Sequence, residues 1–296
     1  MKFGVSPLSL EFMLNRVRKE KGIEGLSNFH LSNVVEEIAK EGFKHCEITT
    51  DVFQLLPIQI TDEDFEELKK IKQKYNISYS AHFPILSIEL ASPNKFIRDA
   101  SIRSTVDAYE SFIQLENDIE MYILHPTGEF IDNAMSFIRD PKIIPIATNI
   151  FTETAIQSIE EIIKRTGINR NKIAIENIKY PFQETIKIVK KLKTKLCIDT
   201  AHLLGGFSGN YDLLEITEKY LDITGEIHLQ DYVDDNLYAD HAPLGKGKKF
   251  PPEFLNLIYQ KDFKGPIVFE LPRKEIITSI EYIRNNAPQI EVPYIK

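Results

Sequence analysis

The chain has 296 residues, of which 43% are hydrophobic and 27% charged, and a formal net charge of −8. That balance describes a soluble globular protein with ample material for a core. It excludes the broad basic footprint that non-specific adhesion to nucleic acid requires, and no run reaches the ~20 apolar residues of a membrane span.

The first expected strand is KFGVSP; Pro7 and Glu11 in MKFGVSPLSLEFML fit a strand and its loop better than a signal peptide, so the expected location is cytoplasmic. LSNVVEEIAKEGF follows as a helix with Leu31, Val34, Val35 and Ile38 on one face. HCEITT is strand two, and TDEDFEELKKIKQKYN is a helix that begins acidic and ends basic, as the helix dipole favours. Strand three is ISYSAHF, a helix spans about 93–114, strand four is EMYILHP, and another helix spans about 148–166. KIAIENI, KLCIDTAH, EIHLQD and IVFEL supply strands five to eight, separated by the helical patterns PFQETIKIVKKLK, YDLLEITEKYL and FPPEFLNLIYQKDF. A last helix covers about 274–285.

Eight strands alternating with eight helices predict the α/β class and a single closed (β/α)₈ (TIM) barrel over residues 1–296. The longest irregular stretches are GIEGLSNFH, GEFIDNAMSFIRDPKIIPIA and DYVDDNLYADHAPLGKGKKF, after strands one, four and seven. In such a barrel they belong to the rim where active sites form. Cys46 and Cys197 each lie in an apolar run and read as buried thiols.

Several apolar runs close on an acid–base or metal-binding side chain: His82, His125, Glu176, Asp199, His228 and Glu270, with His202 and Asp231 just beyond. His241 follows strand seven. A parallel barrel gathers the ends of its strands at one mouth, so these distant residues are expected to share a cavity. Carboxylates with imidazoles suit a divalent ion, and histidine favours Zn²⁺ or Mn²⁺ over Mg²⁺. Glu176 is placed to bridge one ion held by His82 and His125 to a second held by Asp199, His228 and Glu270. His202 and His241, with Asp240 or Asp231, suffice for a third.

Taken singly, a strand-end histidine is more often structural, and Asp199 or Thr200 in IDTAH could simply cap the next helix. Taken together, so many buried carboxylates and imidazoles need a cation to offset their burial. Other polar residues are less specific. His45 and Glu47 share one face of strand two, and Glu47 stands either at the rim or at the core edge. Asn177 either orients a ligand or fills a loop. Lys246, in the GKGKKF cluster, and Tyr211 are candidate substrate contacts, against a solvated loop and ordinary rim packing.

The ordered motifs SAHFP, LHPTG, IAIEN, CIDTAH, HLQD, HAPLGKG and IVFELP resemble the xylose isomerase-like TIM-barrel superfamily, from about strand three to strand eight. They are most similar to its endonuclease IV (AP endonuclease family 2) branch. That resemblance implies three zinc ions: the first on His82, His125 and Glu176, the second on Glu176, Asp199, His228 and Glu270, the third on His202 and His241. The branch has an Asp where this chain has Ala239, with Asp240 one residue later, and its histidine-and-glycine signature on strand one is replaced by FGVSPLS. These departures and the acidic charge argue against a nucleic-acid substrate.

Two activities follow. The favoured one is a phosphoesterase that cleaves a small or medium phosphodiester with a metal-held hydroxide, using two or three ions, with Glu270, Glu176 and His202 as catalytic residues. The other is a one-metal sugar or sugar-phosphate isomerase or epimerase in which Glu176 and Glu270 form the acid–base pair. His82 and His125 are superfluous for one ion, so they favour the first.

Overall fold

A computed structural model describes residues 1–7, 26, 29–234, 241–247 and 249–295. Its centre is a closed parallel barrel in the order β1-β2-β3-β4-β5-β6-β7-β8. The strands are β1 Lys2–Val5, β2 His45–Thr49, β3 Ser78–His82, β4 Ile119–Leu124, β5 Ile173–Glu176, β6 Lys195–Asp199, β7 Thr224–His228 and β8 Pro266–Phe269. The barrel closes where β1 pairs with β8, from Lys2 opposite Pro266 to Val5 opposite Phe269. The predicted (β/α)₈ architecture is therefore the observed one.

Helices pack outside the barrel because each carries an apolar stripe. Leu31, Val35, Ile38 and Ala39 are buried on the Leu31–Lys40 helix, and Phe65, Leu68 and Ile71 on the Asp62–Tyr75 helix. The latter starts at a capping box: Thr61 Oγ1 accepts from the Asp64 amide, and the Asp64 carboxylate accepts from the Thr61 amide. It stops at Asn76, which takes the left-handed conformation.

The stretch expected to be irregular after β4 is instead helical over Glu129–Phe137, and the next helix begins at Ile144 rather than near 148. Two local causes explain the difference. The Glu89 carboxylate, some forty residues upstream, accepts from the Phe130 amide and so caps the first of these helices from a distance. Pro145 sits in the first turn of the second, where no amide donor is needed. Short helices at Asp51–Leu55 and Thr200–Leu204 also follow β2 and β6. Most of GIEGLSNFH lies outside the described residues, as do 235–240; Leu26 and Phe29 are buried in the core.

The barrel interior is filled unevenly. Met121, Ile123, Ala174 and Cys197, from β4, β5 and β6, form a small apolar cluster separate from the main core. From β2, β3 and β7 come polar side chains instead: His45, Glu47, Ser78, Ser80, Glu226 and His228, all buried. Barrel interiors are ordinarily layers of branched apolar residues, so this polar side is unusual. Gly4 on β1 makes room for it, since a Cβ there would lie 2.8 Å from the Cβ of His45.

Candidate metal centre

Period-two alternation aims every second residue of a strand into the barrel, and the last inward position of each strand reaches the mouth. His82, Glu176, Asp199 and His228 are the final residues of β3, β5, β6 and β7; His125 and Glu270 come one residue after β4 and β8. The two oxygens of Glu176 divide the site. Oε2 faces His82 Nε2 at 3.3 Å and His125 Nε2 at 3.0 Å. Oε1 faces His228 Nδ1 at 3.6 Å and His202 Nδ1 at 3.5 Å.

Among the described residues five groups of potential ligand atoms lie within 4.8 Å of one another, three of them at the mouth: His82, His125 and Glu176; Glu176, Asp199, His228 and Glu270; and Asp199, His202 and His241. The other two, Glu176, Cys197 and His228, and Glu47, Glu226 and His228, reach into the barrel. In the second, His228 Nδ1 is 3.1 Å from Glu270 Oε2. In the third, His241 Nε2 is 3.7 Å from Asp199 Oδ2.

Asp199, for which helix capping and ion binding were rival readings, divides its oxygens. Oδ1 accepts from the His202 amide at 2.7 Å and caps the Thr200–Leu204 helix. Oδ2 faces His241 and accepts from Gln230 Nε2 at 2.6 Å. Gln230 also donates to Glu270 Oε2 at 3.2 Å and so links the two carboxylates. Asn177 braces the neighbouring strand tips: its amide accepts from Asp199 N at 2.9 Å and donates to Asp199 O at 3.0 Å. Its backbone carbonyl faces His202 Nδ1 at 2.9 Å.

The electrostatics are those of a mixed anion–imidazole cluster removed from water. Burial would raise the Glu176 carboxyl, but the charges of His125 and His228 overcome it and hold it well below the carboxylate range. Glu270 is lowered in the same way, against burial, by His228. Burial pushes Asp199 up, opposed by His202 and His241. Burial works against His82 as a cation, yet its hydrogen bond to Glu176 and the charge of Glu47 raise it to about 10.

Such a cluster fits a divalent ion on two grounds. The nitrogen and oxygen donors match the preferences of Zn²⁺ or Mn²⁺. In addition, His228 Nδ1 and His241 Nε2 are buried without a hydrogen-bond partner, although both point at carboxylates. Buried nitrogens left this way are costly unless something else binds them.

Other expected site residues lie apart. Asp231 is not free to bind an ion: its carboxylate accepts from the amides of Tyr232, Gly245 and Gly247 at 2.8, 3.0 and 2.9 Å. Its backbone also pairs with Ala242, so it fixes the loop that carries His241. Gly247 is required there, because a Cβ would lie 1.7 Å from the Tyr232 carbonyl oxygen. Asp240 and Ala239 lie outside the described residues. The carboxylate that joins His202 and His241 is Asp199 rather than Asp231. Tyr211 packs on Phe182 with ring centroids 5.5 Å apart and lines a separate hollow of about 310 Å³ with Lys249 and Pro251. Lys246 is exposed on its loop.

Beneath the mouth lies a second polar layer. His228 Nε2 is 3.2 Å from Glu47 Oε2. Ser80 Oγ donates to Glu226 Oε1 at 2.9 Å and stands 2.8 Å from His45 Nε2, while His45 Nδ1 is 2.8 Å from Ser78 Oγ. Burial holds His45 well below its usual range, as a neutral ring. Burial and the neighbouring Glu47 push Glu226 well above the carboxylate range. Gln230 and Glu226 were not singled out from sequence, although the alternation 226, 228, 230 places both on the face of His228.

A closed parallel barrel with this rim defines a class, and comparison with known proteins assigns it. The chain belongs to the xylose isomerase-like TIM barrel family, whose model it matches over residues 35–287. It is 27% identical over 284 residues to the uncharacterized protein MJ1311 of Methanocaldococcus jannaschii, covering 91% of this chain and 83% of that one. Among solved structures it is similar to a D-tagatose 3-epimerase-like protein, with a TM-score of 0.67, 22% identity and 98% of each chain covered. It is also similar to endonuclease IV from Thermus thermophilus, with a TM-score of 0.67 and 17% identity over 98% of this chain and 100% of that one. At these identities the structural likeness establishes the fold. Among the described residues, no helix is long and apolar enough to cross a membrane.

Proposed function

We propose that the protein is a divalent-metal-dependent phosphoesterase acting on a small or medium phosphodiester, with the whole chain as one cytoplasmic catalytic domain. The observation that carries this reading is the division of Glu176: one oxygen serves His82 and His125, the other faces His228. One ion would need only the group Glu176, Asp199, His228 and Glu270, which leaves His82 and His125 without a task.

In this reading His82, His125 and Glu176 hold the first ion, Glu176, Asp199, His228 and Glu270 the second, and His202, His241 and Asp199 a third. When bound, Zn²⁺ or Mn²⁺ supplies positive charge for phosphate oxygens and makes water acidic enough to ionise near neutral pH. The residues of the chain do the rest. Glu270, at the open edge of the mouth, orients the attacking water and accepts its proton at a carboxylate oxygen. His202 faces Asn177 O through Nδ1, which leaves Nε2 to hold the third ion or, without that ion, to assist the leaving group itself. Asn177 and Gln230 keep Asp199 and Glu270 in place so that the carboxylates need not reorganise. The net charge of −8 favours a small phosphorylated molecule over a nucleic acid.

The likeness to a D-tagatose 3-epimerase-like protein supports a second reading: a one-metal sugar or sugar-phosphate isomerase or epimerase with Glu176 and Glu270 as the acid–base pair. Metal analysis of the purified protein separates the two. Two or three ions per chain support the phosphoesterase; one ion overturns it in favour of the isomerase.

A further inference from the structure

The geometry points to Glu47, on β2, as the positioning residue that decides which nitrogen of His228 faces the mouth. The inference rests on the metal-binding reading above and concerns a residue outside its ligand set.

His228 and Glu47 are both fully buried and 181 positions apart in sequence. Their strands are not neighbours: β1 and β8 lie between them on the short way round the barrel, so the contact crosses its interior. Glu47 Oε2 is 3.2 Å from His228 Nε2, and His228 Nδ1 looks the other way, 3.1 Å from Glu270 Oε2 and 3.6 Å from Glu176 Oε1. A neutral imidazole carries one N–H. An ion held among Nδ1, Glu176 and Glu270 would take the Nδ1 lone pair, which places the hydrogen on Nε2, where Glu47 accepts it. Glu47 thus commits Nε2 to donating and leaves Nδ1 as the ligand.

Two features separate this role from mere packing. A buried carboxylate is costly and persists where a partner compensates it. Among the described residues, Glu47 Oε1 has no hydrogen-bond partner, and Oε2 is bound to His228. The other carboxyl group of that layer, Glu226, has Oε1 engaged by Ser80, and among the described residues neither of its oxygens makes a hydrogen bond to His228. Outer partners of ligating histidines commonly act in this way, fixing the ring and its tautomer.

Zn²⁺ titration against a competing chelator tests the inference in the wild type, Glu47→Gln, His228→Ala and the double variant. Glu47→Gln is expected to weaken one Zn²⁺ site about 10–100-fold, the usual cost of losing an outer-shell partner, and to change the His82–His125 site, which it touches only through charge, by less. In the His228→Ala background it should have no further effect, because Glu47 acts through that ring. Long-range ¹H–¹⁵N spectra of the zinc-loaded wild type, which need no variant to fold, should show the His228 proton on Nε2. A proton on Nδ1, equal Zn²⁺ affinity in Glu47→Gln, or the same loss with and without His228 each overturns the role of Glu47. A wild type that binds no Zn²⁺ removes the metal reading itself, and this inference with it.

Discussion

His125 Nε2 lies 3.0 Å from the Glu176 oxygen that also faces His82, so two imidazoles from adjacent strand ends share one carboxylate oxygen. His125 is part-exposed at the mouth and contributes nothing to the buried apolar core. His125→Ala should therefore abolish phosphodiester cleavage, with a loss larger than the ~10–100-fold typical of outer-shell partners, and leave the fold intact. Turnover measured beside far-UV circular dichroism checks it. Unchanged turnover in a folded variant removes the two-ion mechanism.

Proton release gives a second check. His82 is raised to about 10 from an ordinary 6.5, so the metal-free ring is protonated at pH 8. A group raised on folding adds stability that is complete below the lower value and lost as pH climbs through the higher one. Metal-free protein should thus lose stability between about 6.5 and about 10. Ion binding requires the neutral ring, so Zn²⁺ added at pH 8 in weak buffer should release a proton from His82, and His82→Gln should release about one fewer. An indicator-dye titration reads both; equal release from the two proteins contradicts the charge state.

Asp231 tests the support of the third group. Asp231→Ala removes the acceptor for the amides of Tyr232, Gly245 and Gly247, at a cost of about 1–3 kcal/mol if they stay buried. The loop bearing His241 should loosen, and one bound ion should be lost before the others. Denaturant unfolding and ion counting give the two quantities.

A distant change supplies the control. Thr61→Ala breaks the capping box of the Asp62–Tyr75 helix and should cost about 1 kcal/mol. Metal content and turnover should not move, since that helix lies on the outside of the barrel.

The barrel was legible because strands three to eight each close on or just before a chemically marked residue and strand and helix patterns alternate along the chain. The grouping of the candidate ligands followed from topology, since parallel closure puts His82, Glu176, Asp199 and His228 at one end whatever their separation in sequence. What escaped was set by long-range contacts. The Glu129–Phe137 helix has its cap in Glu89, which no local pattern reveals. Among the described residues the carboxylate beside His202 and His241 is Asp199 rather than Asp231, which is spent on backbone amides. The layer of His45, Glu47 and Glu226 was visible only as a weak alternation, and strands two and seven gave no sign that they meet across the interior.

The Asn177 side chain, which pairs with both backbone groups of Asp199, works as an extra rung of sheet beyond the point where β5 and β6 stop. It sets the gauge between two neighbouring acidic residues with a part that bears no charge. An aspartate in its place would lose the donor and add repulsion; a serine would be too short to span the gap. Side chains around the opening can thus be exchanged without disturbing the spacing of Glu176 and Asp199, so long as this neutral spacer keeps the gap at its present width.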